Sequence, residues 1–375
     1  EDSAGALMTT EFVDLKRDMT VEDAFKRIRR IGGELETINI LYVTDPTRHL
    51  LGVLSVRDLL LAEEDDLIEE IMDPDVVWAK TTDDKEDVAQ ALSKYGINVI
   101  GIPGTIDNDI SCTNYCIGFD TAANTAIECI DKLRDTMQSH ERCSVVEVMG
   151  RHAGWLAGAA GLASWAGSGP DLVYLPEVDF DMDQFLADVK RIYNATGNCL
   201  VAVSEGIHYA DGTFVSEAKT SATDGFGHAQ LGGLAAMLAD VVKQKMGVKV
   251  RGIELSLLQR CGSHLASRTD IQEAYAAGKA AVEAAVSGLT DQMVALDCTR
   301  DADGYHCQTK LIPLTQAANT ERKVPRAWIN EAGNGVCQSF IDYALPLIQG
   351  EPARPLENGL PKFARLKKVL TTSID

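Results

Sequence analysis

The sequence predicts an α/β protein in which a small α/β module precedes a larger body built on a doubly wound parallel sheet. Short apolar runs alternate with amphipathic helical stretches along the chain, which is the pattern of repeated βα units. The composition is 45% hydrophobic and 24% charged, as in soluble globular proteins. The length of 375 residues favours two or three domains.

The composition changes near residue 95. Before this point acidic residues outnumber basic ones about two to one, and all nine cysteines follow it, from Cys112 to Cys337. An odd number of cysteines without a C-x-x-C pair favours reduced thiols in a cytoplasmic protein over a disulfide framework or a metal site. We therefore predict that two different kinds of sequence join here.

The charge excludes several classes of partner. The formal net charge of −21 repels nucleic acid and anionic membrane surfaces, so neither is expected as a partner. No run of 18 apolar residues occurs, so no membrane span is expected. No secretory signal is visible at the start of the sequence either.

Residues 1–95 predict the small module. Thr20 begins a helix with Asp23 as its acidic third residue, and Gly32 and Gly33 end it. Strands follow at residues 38–43 and 50–55, and a short helix at residues 56–62. After Pro74 the pattern restarts, with a strand at residues 76–78 and a helix that runs to residue 95.

Three segments of this module resemble the CBS-domain region of MgtE-type magnesium transporters: SAGALMTTEFVDLKRDMTVEDAFKRIRR, LYVTDPTRHLLGVLSVRDLLLA and IMDPDVV. The resemblance implies a CBS domain over residues 1–71 and the start of a second, truncated one over residues 72–95. It also implies that Ser55 and Asp58 contact a nucleotide ribose. The alternative is that both residues cap the next helix. The acidic run from Glu63 to Asp73 is either a Mg²⁺ site or a solvated face, and we favour the solvated face.

The chemistry-bearing segment follows the join. Residues 97–102 predict a buried parallel strand, which leads into a loop that carries Asp107 and Asp109. Open α/β sheets bind ligands at the carboxyl ends of their strands. In such a cleft one carboxylate can accept a hydroxyl proton and the other can hold Mg²⁺.

Longer blocks give this loop a family. The segments GIPGTIDNDISCTNYCIGFDTAANTA, VVEVMGRHAGW, VAVSEGIHYADG, IELSLLQRCGSH and KVPRAWI closely resemble 6-phosphofructokinases. The resemblance implies transfer of a phosphoryl group to fructose 6-phosphate from ATP or pyrophosphate, with Mg²⁺ as cofactor, in a homo-oligomer. It implies that Asp107 is the general base, that Thr105 supports the substrate, and that Asp109 supports the substrate and the magnesium ion.

The same resemblance implies a set of substrate contacts. Arg142 is expected to reach the 6-phosphate held by a neighbouring subunit, and Glu205 to bond a sugar hydroxyl. The remaining expected contacts to the sugar phosphate are Met149, Gly150, Arg151, Arg251 and Arg260.

The phosphoryl donor stays open in the sequence. Gly104 stands where the resemblance places Gly in ATP-using enzymes and Lys in most pyrophosphate-using ones. The later blocks look more like the pyrophosphate branch, and Leu257 replaces a His of the ATP branch. Alternating elements then continue, with strands predicted at residues 172–175, 199–203 and 250–255 and helices at 181–193, 228–244 and 270–287.

The Gly-Gly-Asp donor loops of the N-terminal half of a phosphofructokinase are not found, nor is a G-x-G-x-x-G or Walker A match. We therefore expect a phosphofructokinase-like body over residues 96–375 that lacks its N-terminal half and shows little or no turnover. Two alternatives stay open: a non-enzymatic sensor of Mg²⁺ or adenine nucleotide with a sugar-phosphate pocket, and an artefactual fusion without function.

Overall fold

The computed structural model describes residues 12–31, 39–76, 88, 98–140, 142–165, 167–216, 233–302, 304–317, 320–352 and 356–362. The chain divides into two compact units, Glu1–Ile97 and Asn98–Asp375, each treated by itself below. Among the helices described, none has both the length and the apolar character needed to cross a bilayer. The finer division of the first unit at residue 71 stays a prediction.

The first unit is a three-stranded sheet with helices. Its elements are β1 (Asp14–Leu15), α1 (Val21–Ile31), β2 (Ile40–Thr44), β3 (Leu50–Ser55), α2 (Val56–Leu61) and α3 (Ile68–Ile71). The sheet order is β1-β2-β3, with β1 parallel and β3 antiparallel to β2. Thr20 Oγ1 accepts from Asp23 N at 3.2 Å, which confirms the predicted helix start. The elements predicted after residue 76 lie outside the described residues.

The second unit carries the predicted parallel sheet. Its strands are β5 (Cys143–Val148), β6 (Leu172–Tyr174), β7 (Cys199–Ser204) and β8 (Val250–Glu254), in the order β6-β7-β5-β8. All pairings among them are parallel. β5, β6 and β7 are buried at every residue, because helices cover a parallel sheet on both faces.

The second unit also contains a sheet that the sequence analysis did not predict. Strands β9 (Gln292–Asp301) and β10 (Gly304–Pro313) form a ten-residue antiparallel hairpin, and β4 (Ile100–Gly101) pairs parallel to β9. The strand expected over residues 97–102 is therefore shorter than predicted. A last hairpin joins β11 (Leu356–Glu357) and β12 (Leu360–Pro361).

Helices pack around these sheets. They are α4 (Phe119–Gln138), α5 (Trp155–Ala160), α6 (Leu162–Trp165), α7 (Met182–Thr196), α8 (Leu234–Met246), α9 (Arg268–Val286), α10 (Leu314–Ala317) and α11 (Gln338–Ala344). Short 3₁₀ turns occupy Ser256–Arg260, Ser263–Leu265 and Arg326–Trp328. For the helix expected at residues 228–244, residues 228–232 lie outside the described residues. The described helix begins at Leu234, because Gly233 adopts a φ of 77° at its N-cap.

Candidate active site

The acidic loop, residues 104–109, follows β4 and carries the predicted catalytic residues. Thr105 Oγ1 accepts a hydrogen bond from Asp107 N at 3.2 Å, which fixes the start of the loop. Thr105, Asp107 and Asp109 are all half-buried, so their side chains stay within reach of a ligand. The three residues predicted together therefore share one ordered turn.

Asn108 anchors this loop between its two acids. The residue is fully buried and adopts a φ of 58°, in the left-handed region that asparagine tolerates better than most residues. Its Nδ2 donates to the Tyr343 hydroxyl at 2.8 Å, and its Oδ1 accepts from Cys116 N at 2.8 Å. Asn108 thus turns into the core while its neighbours Asp107 and Asp109 stay half-buried.

Arg322 holds the same loop from the other side. Its guanidinium donates to Asn108 O at 2.9 Å, to the Tyr343 hydroxyl at 3.0 Å and to Asn114 O. Its backbone N donates to Asp109 O at 2.6 Å. The cationic group also lies 4.3 Å from the centre of the Trp155 ring. One half-buried arginine therefore holds the backbone at Asn108, Asp109 and Asn114.

The segment around Arg322 also reaches the turn after β5. Trp155 Nε1 donates to Arg322 O at 2.7 Å. Glu177 Oε1 accepts from both Gly154 N and Val324 N at 2.9 Å. Because residues 322–324 contact both structures, the acidic loop and the turn at Gly154 are held side by side.

Residues 149–151 come directly before that turn and are the predicted substrate contacts. Met149 N donates to Gln259 Oε1 at 3.0 Å, and Gly150 N donates to Glu205 Oε1 at 3.3 Å. A Cβ at Gly150 would lie 2.6 Å from the backbone oxygen of Ala153, so a glycine is required here. The structure therefore brings Gly150 and Glu205 into direct contact, and Gln259 holds the adjacent Met149.

Arg151 and Arg260 belong to the same edge of the parallel sheet. Arg151 follows β5, and a Cβ at Gly206 would fall on its carbonyl oxygen, so the two backbones are closely packed. Arg260 ends the 3₁₀ turn after β8 and directly follows Gln259, which bonds Met149. The carboxyl ends of β5, β7 and β8 thus gather the predicted contacts, as expected for a parallel sheet.

A further acid, Glu147, is buried at this edge. It is 3% exposed, and its Oε2 accepts from Ala235 N at the start of α8 at 2.9 Å. Burial raises the pKa of Glu147 to about 7, and the negative charges of Glu254 and Glu205 add to the shift. Glu147 therefore exchanges its proton near neutral pH.

The opposite edge of the sheet carries a basic cavity. The cavity has a volume of about 410 Å³ and suits an anion, because four of its lining side chains are cationic. It is lined by Arg142, Lys243, Lys249, Val250 and Arg251. Arg142 Nε is buried without a hydrogen-bond partner among the described residues. Arg142 and Arg251, which the resemblance assigns to phosphate, therefore share one cavity.

The two edges are too far apart to serve one substrate within a single chain. Arg142 precedes the first residue of β5 and Met149 follows its last, so about 23 Å separates them at about 3.3 Å per residue. The predicted site residues therefore form two groups in one chain, one at each end of β5.

Several of these residues were missed in the sequence analysis. Gln259 directly precedes Arg260 in a quoted block, and Lys243 and Lys249 lie shortly before Arg251 in the sequence. The local sequence could therefore have indicated all three residues. Arg322 and Tyr343 carried none, because they lie 214 and 235 residues from Asn108 in the sequence.

The candidate nucleotide contacts of the first unit have a structural role. Ser55 is the N-cap of α2 and its Oγ accepts from Asp58 N at 3.1 Å. The Ser55 hydroxyl donates to the Asp58 carboxylate. These are the contacts of the capping interpretation, and a nucleotide role for the two residues stays a prediction.

Asp109 carries the carboxylate that the predicted Mg²⁺ requires. Among the described residues no group of three or more His, Cys, Asp or Glu side chains could hold a metal. Magnesium is commonly bound by one or two carboxylates that leave its other positions to water and substrate phosphates. The half-buried carboxylate of Asp109 matches that requirement.

Comparisons with known proteins agree with both units. The phosphofructokinase family model matches residues 83–285, which is more than half of the chain, and the CBS domain model matches residues 4–65. A pyrophosphate–fructose 6-phosphate 1-phosphotransferase from Halomonas elongata is 41% identical over 288 residues, which is 75% of this chain and 68% of that protein.

Solved structures are similar as well. The pyrophosphate-dependent phosphofructokinase from Marinobacter aquaeolei covers 96% of this chain and 97% of its own, at 27% identity and a TM-score of 0.67. The cytosolic domain of the Mg²⁺ channel MgtE is 44% identical over 25% of this chain and 38% of its own, with a TM-score of 0.24. The matched family model and the relative covered over two thirds of its length establish that the chain belongs to the phosphofructokinase family and carries a CBS domain before the phosphofructokinase region.

Proposed function

We propose that the protein transfers a phosphoryl group from pyrophosphate to the 1-hydroxyl of fructose 6-phosphate. The observation that carries the proposal is the attachment of the acidic loop and the Gly154 turn to the same segment, residues 322–324. This shared segment holds a carboxylate of the acidic loop beside the residues assigned to the sugar. The relatives that share these blocks are named as enzymes of this reaction.

In this proposal Asp107 accepts the proton of the sugar 1-hydroxyl. Phosphoryl transfer depends mainly on positioning and on charge stabilisation, with little covalent chemistry for the protein. The contacts of Thr105 and Asn108 hold the Asp107 backbone, so the base is oriented before the substrate arrives. A bound Mg²⁺ supplies positive charge to the transferring group, and Asp109 is the residue we assign to hold it.

Two chains complete one substrate site in this proposal. Met149, Arg151 and Glu205 hold the sugar at the carboxyl edge of the parallel sheet, and Arg260 lies in the turn beside them. The basic cavity of a second copy holds the 6-phosphate, because about 23 Å separates Arg142 from Met149 in one chain. A homo-oligomer is therefore part of the proposed function.

Pyrophosphate is the donor we favour over ATP. Gly104 is the residue expected in ATP-using enzymes. However, the relatives of which this chain covers two thirds or more carry pyrophosphate in their names. A Cβ at Gly104 would meet no atom within 4 Å, and the residue is exposed. The lysine of the pyrophosphate branch therefore fits here without rearrangement.

A coupled assay tests the donor. The full chain is mixed with Mg²⁺, fructose 6-phosphate and either pyrophosphate or ATP, and fructose 1,6-bisphosphate is measured. We expect product with pyrophosphate and much less with ATP. We expect Gly104→Lys to raise kcat/KM for pyrophosphate about tenfold, which corresponds to about 1.4 kcal/mol.

Gly278→Lys is the matched control, since Gly278 lies in α9 with no atom within 4 Å of an added Cβ. It should leave the donor preference unchanged. Product from ATP but none from pyrophosphate would overturn the choice of donor.

The expected lack of turnover, the sensor and the functionless fusion find no support in the comparisons. The same assay separates them from the proposal. Saturable binding of fructose 6-phosphate without product from either donor would favour the sensor. A chain that neither melts cooperatively nor binds the sugar phosphate would favour the functionless fusion.

A further inference from the structure

Two cysteines face each other in the hairpin of the second unit, and neither is among the residues assigned to the substrate. Cys298 on β9 and Cys307 on β10 are partners in the strand register. Their sulfur atoms lie 3.3 Å apart, and both are free thiols. The proposed function gives this pair no role.

The backbone around the pair suits a disulfide. Leu296 N donates to Thr113 Oγ1 and Cys298 N donates to Asn114 Oδ1, so both N–H groups point away from β10. Cys298 and Cys307 therefore form a non-hydrogen-bonded pair, in which the Cα atoms of opposite residues lie about 4.5 Å apart. This separation falls within the range of about 4.4–6.8 Å that disulfides span.

The polar groups around the pair favour one thiolate. The hydrogen bond with Cys307 lowers the pKa of the Cys298 thiol, and the same contact raises that of Cys307. The Tyr305 hydroxyl lies 3.3 Å from Cys298 Sγ and 2.9 Å from Glu273 Oε1. Arg300 lowers the Cys298 pKa further, and the charge of Glu273 opposes it. Cys298 is therefore the first of the two to ionise.

Access to the pair suits a small oxidant. Cys298 is 9% exposed, while Cys307 is half-buried on β10, which has no second neighbour in its sheet among the described strands. A peroxide molecule requires far less room than a bulky disulfide reagent.

We propose that Cys298 and Cys307 form a redox-sensitive dithiol that hydrogen peroxide converts to a reversible disulfide. The Cys298 thiolate attacks one peroxide oxygen, the O–O bond breaks, and the departing hydroxide takes a proton to become water. Cys307 then attacks the sulfur of the resulting sulfenic acid, the S–S bond forms, and a second water leaves with the Cys307 proton. Two thiols lose two electrons, and one peroxide is reduced to two waters.

Peptide mapping of the full chain tests this proposal. The reduced protein is treated with hydrogen peroxide at a few equivalents, the remaining thiols are alkylated, and the peptides are identified by mass spectrometry. We expect a linked peptide pair that contains Cys298 and Cys307 and has lost two hydrogen atoms. Dithiothreitol should restore both thiols to full alkylation.

Single variants separate the two roles. In Cys307→Ser the sulfenic acid at Cys298 has no partner, so we expect dimedone to label Cys298. In Cys298→Ser we expect Cys307 to stay reduced at the same dose. The control variant Cys112→Ser/Cys261→Ser removes two exposed cysteines and should keep the linked peptide.

Each result bears on the proposal. Oxidation confined to Cys112 and Cys261, with Cys298 and Cys307 fully alkylated afterwards, would overturn it. So would equal dimedone labelling of Cys298 in the wild type and in Cys307→Ser. Thermal melting identifies any variant that does not fold, and the wild-type peptide map then decides.

Discussion

At the scale of single residues, the Tyr343 hydroxyl holds the acidic loop in place. It accepts from Asn108 Nδ2 and from Arg322, and it donates to Asn114 O at 2.8 Å. In Tyr343→Phe the ring stays beside Trp155, but the buried amide of Asn108 loses its acceptor. We expect a loss of about 1–3 kcal/mol in the free energy of unfolding, measured by urea denaturation.

Tyr275→Phe is the matched control for this loss. The Tyr275 side chain is 75% exposed on α9, so removing its hydroxyl should change the free energy of unfolding by less than about 0.5 kcal/mol. Equal urea midpoints for Tyr343→Phe and the wild type would show that the hydroxyl does not stabilise the loop.

Glu147 predicts how stability depends on pH. Its pKa rises from 4.5 to about 7 on folding, so between these values the folded state binds more protons than the unfolded state. The contribution of protonated Glu147 to the free energy of unfolding is therefore fully present below about pH 4.5, and it is lost as pH rises through 7. The loss amounts to about 1.4 kcal/mol per pH unit across this window.

Glu147→Gln should remove this slope, because a glutamine can still accept from Ala235 N and does not ionise. We expect the variant to gain stability relative to the wild type between pH 5 and pH 8 in urea denaturation. Parallel curves for the two proteins over this range would contradict the assignment of the proton to Glu147.

At the scale of elements, the segments that follow β5 and β7 pack closely against each other and so position Arg151. A Cβ at Gly206 would fall on the Arg151 carbonyl oxygen, so Gly206→Ala must displace the backbone at Arg151, a predicted substrate contact. We expect the KM for fructose 6-phosphate to rise at least tenfold in steady-state kinetics, since misplacement of binding residues weakens every contact they make.

The control is Gly278→Ala in α9, where an added Cβ meets nothing within 4 Å. It should leave the KM unchanged and raise the free energy of unfolding by about 0.5–1 kcal/mol. A KM for Gly206→Ala within twofold of the wild type would show that Arg151 tolerates displacement.

The periodicity of apolar residues predicted those strands and helices that contact elements nearby in the sequence. Strand β3 has the predicted bounds, Leu50–Ser55, and the predicted apolar runs at β6 and β7 are buried as parallel strands should be. The β9–β10 hairpin was missed, because its outer strand alternates exposed and half-buried residues and lacks an apolar run. The described part of the helix predicted from residue 228 begins at Leu234, after the positive φ of Gly233, which no local pattern indicates.

Motifs predicted the candidate site residues but not what holds them. The acidic loop, residues 149–151 and Glu205 stood in recognisable blocks, since their chemistry limits which residues can occupy them. Arg322 and Tyr343 stabilise the loop through packing between segments more than 200 residues apart. No local pattern indicates such a contact.

At the scale of the whole molecule, the separation of the two sheet edges predicts complementation between subunits. Asp107→Asn removes the proposed base and Arg142→Gln removes a proposed phosphate contact, so each variant alone should be nearly inactive. In a mixed oligomer, one site combines an intact Asp107 with an intact Arg142 from the neighbouring copy. We expect co-expression of the two variants to restore activity.

The control mixes Asp107→Asn with Asp135→Asn/Arg142→Gln, since Asp135 is exposed on α4 and outside both groups. It should restore activity to the same extent. Failure of both mixtures, with mixed oligomers confirmed by mass spectrometry, would show that the two edges do not form shared sites.

The proton-accepting role of Asp107 is tested most directly by comparing the kcat of Asp107→Asn with its affinity for fructose 6-phosphate. We predict that kcat with pyrophosphate falls about 10²- to 10⁴-fold, the usual contribution of a general base, while the calorimetric Kd changes less than about threefold. Asp135→Asn should match the wild type in both. A kcat for Asp107→Asn within tenfold of the wild type would contradict the account.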